Sequence, residues 1–145
     1  EFGRNVLGLQ DAHSTEMAPE TTNPVIDLME DQKTVCKKGG TMRLGAFPCT
    51  IGANTLAFKV YNRLDISERH RHRYEFNNRY LDQFQKAGMI ASGINTKDNL
   101  VEIVELNNHP WFVGIQFHPE YKSTVANPHP LFVNFVKAAI DYSQQ

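Results

Sequence analysis

Apolar positions fall in short runs of mixed period, some alternating and some spaced as on a helix. Phe2, Val6 and Leu9 recur near helical spacing with Gly8 as a stop, which reads as the tail of a helix. Residues 10–24 are polar, carry two prolines and read as loop. Residues 25–29 alternate well enough for a short strand. The stretch 31–40 is polar and ends on Gly39 and Gly40, so it reads as a mobile surface loop. Residues 41–49 then predict a strand with Met42, Leu44 and Ala46 on one face. Residues 55–62 fit a strand or a short helix, and 74–77 a strand.

Helical spacing becomes clear further on. Asn78 as N-cap, a stripe of Tyr80, Leu81, Phe84 and Ala87, and a terminating Gly88 predict a helix over 78–88. Strands are predicted at 89–94, 100–106 and 111–117. The turn Asn107-Asn108-His109-Pro110 makes the last two an antiparallel hairpin. Pro128 and Pro130 lead into the clearest helix, 131–142, with Phe132, Phe135, Val136, Ala139 and Ile140 along one side. Neither a repeat nor a linker interrupts residues 1–145, so they read as one α/β domain or the larger part of one. The opening, a helix tail without an initiator methionine or signal peptide, predicts a piece of a longer polypeptide.

Composition narrows the class. Fifteen Lys and Arg against sixteen Asp and Glu give a formal charge of -1, which argues against nucleic acid or an anionic membrane as a partner held by bulk charge. Hydrophobic residues at 41% suffice for a core and exceed what a disordered chain carries. No run approaches the roughly 20 apolar residues of a membrane span. The two cysteines, Cys36 and Cys49, stand in no metal or redox spacing, so both read as structural and a reducing, cytoplasmic setting is the expectation.

Two segments carry chemistry. In GIQFHPEY, 114–121, an apolar strand delivers His118 and Glu120 at its carboxyl end, where α/β sheets bind ligands. Residues two apart in extended chain point the same way, and Pro119 biases His118 toward that shape. A carboxylate beside an imidazole fixes its tautomer, so His118 is a candidate general base oriented by Glu120. The plain alternative is a loop histidine near a solvated acid. In ERHRHRYEFN, 68–77, Arg69, Arg71 and Arg73 alternate with His70 and His72, which on a strand puts arginines on one face and histidines on the other. An arginine there can clamp a carboxylate. The alternatives are a solvated basic edge strand answered by Glu68 and Glu75, or a metal held by His70 and His72 with Glu75 or His118.

GIQFHPEY resembles the His-x-Glu end of the class I (triad) glutamine amidotransferases. Within that class NVLGLQDAHSTE, GGTMRLG, ERHRHRYEFNN and NHPWFVGIQFHPEYKS are similar to the CTP synthase family, a likeness that continues through HPLFVNFVKAA. The resemblance implies a flavodoxin-like three-layer α/β/α fold whose N-terminal part lies outside this chain. It makes His118 the catalytic histidine and Glu120 the acid of the triad, with Arg73 and Glu16 contacting the substrate L-glutamine. The charges agree, since a free amino acid presents one cation and one anion. The loop ending in GGTMRLG would be a lid linked to activation by GTP. No cofactor or metal is implied for this portion. ATP, Mg²⁺ and UTP would belong to an N-terminal synthase domain of the same protein, and the whole to a homotetramer.

The class also requires a cysteine nucleophile in a Gly-x-Cys-x-Gly elbow, which the family's spacing puts just ahead of Glu1. Cys49, in FPCTIG, lacks that elbow. The residues present thus carry a base and its orienter without the attacking atom, and the 145-residue chain by itself is expected to be inactive. Another class I amidotransferase, or a fragment that only binds, are the alternatives.

Overall fold

The computed structural model describes residues 1–28 and 42–145. The expected loop 31–40, Cys36 and most of the expected lid lie outside the described residues. Strands β1 (His13–Ser14), β2 (Pro24–Leu28) and β5 (Tyr74–Phe76) make a small sheet in the order β1-β2-β5. Strands β3 (Arg43–Ile51), β4 (Asp65–His72), β6 (Met89–Asn95), β7 (Leu100–Leu106) and β8 (Val113–Ile115) make a larger one, ordered β4-β3-β6-β7-β8 and antiparallel throughout. The expected hairpin across residues 107–110 joins β7 to β8. Its second strand is shorter than 111–117, although Gln116 N–H still donates to the Glu102 carbonyl at 3.0 Å.

Met42, Leu44 and Ala46 share one side of the β3 segment, as expected, and it is the outer side, whereas Arg43, Cys49 and Ile51 are buried. The inward residue at the strand's start is an arginine whose charge is met inside. The core beneath the sheet gathers Cys49, Ile51, Ala57, Ile66, Ile103, Phe117 and Leu131. Gly93 crosses β6 where a Cβ would stand 2.6 Å from Ile103 and 2.8 Å from Cys49 Sγ, so only glycine fits.

Four helices complete the described chain: α1 (Phe2–Asn5), α2 (Leu56–Tyr61), α3 (Leu81–Lys86) and α4 (Pro130–Ser143). Residues 55–62 resolve as helix because its N-terminus is capped twice. Thr55 accepts from Phe58 N–H, and the buried Glu105 carboxylate accepts from Leu56 and Ala57 at 2.8 and 3.1 Å. The segment from 78 starts as a 3-10 turn, Asn78–Tyr80, before α3. Its cap is Asn77, which accepts from Arg79 N–H; Asn78, the expected cap, instead donates its side-chain amide to the Asn99 carbonyl at 2.6 Å. α4 occupies the expected span, yet Phe132, Phe135, Val136 and Ile140 are exposed and only Leu131 is fully buried. Among the described residues no helix is long and apolar enough to cross a membrane.

Candidate active site

β4 carries the alternation read from RHRHR. Ile66, Glu68 and His70 are buried, while Asp65, Ser67, Arg69 and Arg71 face out. A bend at Arg73 ends the strand before β5, which takes Arg73 off the outer arginine row and leaves it half-buried. β4 is an edge strand, as the bland reading required. Glu68 and Glu75, however, do not answer the arginines of this run: both are buried and meet other partners.

The inner face of the sheet holds a charged cluster. Arg43 Nη1 lies 3.3 Å from Glu75 Oε1, and its Nη2 lies 2.8 Å from Glu102 Oε1. His70 Nδ1 and His72 Nε2 share a hydrogen bond of 2.7 Å. His72 Nδ1 is 3.4 Å from Glu75 and His70 Nδ1 is 3.6 Å from Glu102. Burial pushes Glu75 up to about 7 despite the guanidinium beside it, and raises Glu102 for the same reason. Burial, then the positive charge of Arg43, holds His70 down at about 3 and His72 at about 4, so both stay neutral near pH 7.

His70, His72 and Glu102 could together hold a metal ion, their ligand atoms lying within 4.8 Å of one another. The third member is Glu102 rather than the expected Glu75 or His118. Arg43 already brings a cation to this carboxylate, so the cluster's charge is met by protein. Glu102 was the site residue that sequence reasoning missed. LVEIVEL reads as a strand, and only the tertiary fold brings its first acid to Arg43 on β3.

The cluster has a sign under acid. Below pH 6.5 the unfolded histidines bind protons that the folded ones refuse until about pH 4 and 3, so stability falls as pH drops through that window. Glu75 acts oppositely between 4.5 and about 7, keeping a proton in the fold that the unfolded chain has released. The raised Glu102 carboxyl acts in the same sense as Glu75, so the histidine contribution is read by difference. Lowering the pH from 6.5 to 4.5 should cost wild type more, or benefit it less, in urea midpoint than it does His70→Gln; an equal pH response in the two proteins would remove His70 from the account.

The second feature lies just past β8. His118 and Glu120 meet as expected, Nδ1 to Oε1 at 2.7 Å, on a 3-10 turn, Pro119–Lys122, whose N-cap is His118. Backbone and His118 hydrogen bonds hold the Glu120 carboxyl below its ordinary value. Glu16 and Arg73 also come together, lining one cavity of about 680 Å³ with Arg71, His72, Glu102 and Gln116. His118 and Glu120 are not part of that wall, although Gln116 stands two residues before His118. Cys49 is buried near the end of β3, and burial pushes its thiol up to about 12, the opposite of an activated nucleophile.

The sequence matches the family Glutamine amidotransferase class-I over residues 1–138. The chain belongs to that family. Its likeness to individual members is close. It is 64% identical over 141 residues to the CTP synthase of Flavobacterium johnsoniae, covering 97% of this chain and 26% of that protein. With the CTP synthase of Aquifex aeolicus it shares 57% over 145 residues, all of this chain and 27% of the relative. A solved Trypanosoma brucei CTPS glutaminase domain with bound acivicin superposes at a TM-score of 0.88 with 36% identity, covering 96% of this chain and 54% of that one. The α/β class I amidotransferase fold expected from the motifs is thereby borne out. The chain spans about a quarter of the length of the curated relatives it matches.

Proposed function

We propose that this amidotransferase chain is part of the glutaminase of a CTP synthase and releases ammonia from the side-chain amide of L-glutamine. The observation that carries it is the 2.7 Å His118–Glu120 pair just past β8 of the larger sheet, in a member of this family. Glu120 accepts the Nδ1 proton, which fixes the tautomer and leaves Nε2 as the free base. In that role His118 keeps a cysteine thiolate reactive, protonates departing ammonia and then activates water against the thioester. Neither Cys36 nor Cys49 stands in a Gly-x-Cys-x-Gly elbow, so neither is assigned as that thiolate.

Glu16 receives the α-ammonium of glutamine and Arg73 its α-carboxylate, which is why both signs line one cavity. The ammonia passes to a synthase domain of the same protein, which aminates UTP to CTP with ATP and Mg²⁺ under activation by GTP. That protein is a cytoplasmic homotetramer, and this portion needs no metal or cofactor. The likeness to two CTP synthases along 97% and 100% of the chain supports this reading over another class I amidotransferase.

The test is to feed UTP, ATP and glutamine to the complete protein and measure CTP. Ammonia release without CTP would move the assignment to another amidotransferase. Within that assay Arg73→Ala should raise KM for glutamine by about 10- to 100-fold, the worth of a charge-assisted contact. Glu16→Ala should do likewise, and an unchanged KM in both would remove them from the substrate site.

A further inference from the structure

The His118–Glu120 pair is exposed, at 37% and 55% of the two side chains, so burial does not set its geometry. The turn that carries it does. That turn is fastened to β4 at two points. The His118 backbone N–H donates to the Arg69 carbonyl at 2.8 Å. Lys122, the turn's last residue, donates Nζ to the Ser67 carbonyl at 2.6 Å. The second fastening lies over a buried carboxylate, since Lys122 Nζ is also 3.4 Å from Glu68 Oε2, whose side chain is 3% exposed.

Glu68 is itself held from three sides. Its Oε1 accepts the Tyr61 hydroxyl at 3.2 Å and meets His129 Nε2 at 3.2 Å. His129 is the N-cap of α4, and its backbone N–H donates to Ser123 Oγ at the turn's far end. One carboxylate thus joins β4, α2, the start of α4 and the turn. Burial alone would raise its pKa, but the hydrogen bond and charge of His129 and the charge of Lys122 outweigh it and keep Glu68 below its ordinary value. Tyr121, between Glu120 and Lys122, stacks on the His118 ring with centroids 5.3 Å apart.

We infer that Lys122, anchored on the buried Glu68 carboxylate, is a positioning residue for the His118–Glu120 pair. An exposed ion pair does little for stability. This one instead fixes the far end of a four-residue turn, and with it where Glu120 stands relative to His118 Nδ1. Without the ammonium the turn loses one of its two hydrogen bonds to β4, and Glu120, otherwise solvated, is free to drift out of reach. Misplacement of a reacting group by about 1 Å can cost about 100-fold in rate. The inference rests on the glutaminase reading.

The experiment uses the complete protein and its glutamine hydrolysis. Lys122→Met should lower kcat by about 10- to 100-fold with KM for glutamine moved by less than about threefold, and Lys122→Arg should restore most of the loss. In a Glu120→Ala background the Lys122→Met change should cost less than about threefold more, because the residue acts through Glu120. A kcat within threefold of wild type, or an equal loss in the Glu120→Ala background, would overturn the inference. Should Lys122→Met fail to fold, Glu68→Gln, which keeps the shape and weakens the anchor, is put through the same cycle and judged by the same outcomes. A wild-type protein that releases no ammonia from glutamine would overturn the glutaminase reading itself, an outcome distinct from an active enzyme indifferent to Lys122.

Discussion

Replacing His118 with alanine in the complete protein should lower glutamine hydrolysis by roughly four to six orders of magnitude, the range seen when the base of a nucleophile–base unit is removed. An imidazole can move a proton both ways near neutral pH, and the tautomer of this one is fixed by the 2.7 Å contact with Glu120. Glu120→Ala should cost less, about two to four orders of magnitude, since it orients the base without exchanging protons itself. The order of loss, His118 then Glu120 then Lys122, is the sharper content of the prediction. Ammonia release gives the measurement. CTP formation from added ammonium, which bypasses the glutaminase, gives the control and should survive all three changes. A His118→Ala enzyme within tenfold of wild type on glutamine would end the assignment of His118 as the base.

The second large effect concerns stability. Arg43→Met should destabilise the fold by about 3–5 kcal/mol, the cost of leaving a buried ion cluster without its compensating charge. Arg43 is 8% exposed and faces two carboxylates, Glu75 and Glu102, which are 2% and 1% exposed. With the guanidinium gone, both must take up protons to stay inside, so the loss should be larger at pH 8 than at pH 5.5. The double change Arg43→Met with Glu102→Gln should recover part of it, because one uncompensated charge is removed with the other. Urea unfolding at the two pH values decides the matter; a loss that does not depend on pH would mean that Arg43 acts through packing alone.

Much of the chain was legible because the relevant physics is local. Period-two alternation found β2, short apolar runs found β6 and β7, and the Asn-Asn-His-Pro turn found the pairing of β7 with β8. His118-Pro119-Glu120 placed an imidazole and a carboxylate on one side of an extended segment, and they meet at 2.7 Å. Alternation alone put the histidines and arginines of RHRHR on opposite faces, which holds for His70 against Arg69 and Arg71, while Arg73 leaves the row at the bend. None of these needed a distant partner. Local pattern failed where the partner was distant. Alternation put Met42, Leu44 and Ala46 on one face of β3 but did not say which face is inside, because Arg43 goes inside only when Glu75, 32 residues on, and Glu102 are there to meet it. The cap before α3 slipped by one residue because Asn78 is drawn off to the Asn99 carbonyl.

What the sequence alone determined, then, is the family, the order of most elements and the His118–Glu120 pair, since each depends on residues a few positions apart or on motifs read whole. The tertiary structure decided which face of a strand is inside, which charges are buried together, and that Glu16 and Arg73 share a cavity. It also decided that Lys122 reaches back 54 residues along the chain to a carboxylate under the turn that carries His118 and Glu120. Those facts depend on strand register and on the cost of an unmet charge in a low-dielectric interior, and neither is written in any local stretch of residues.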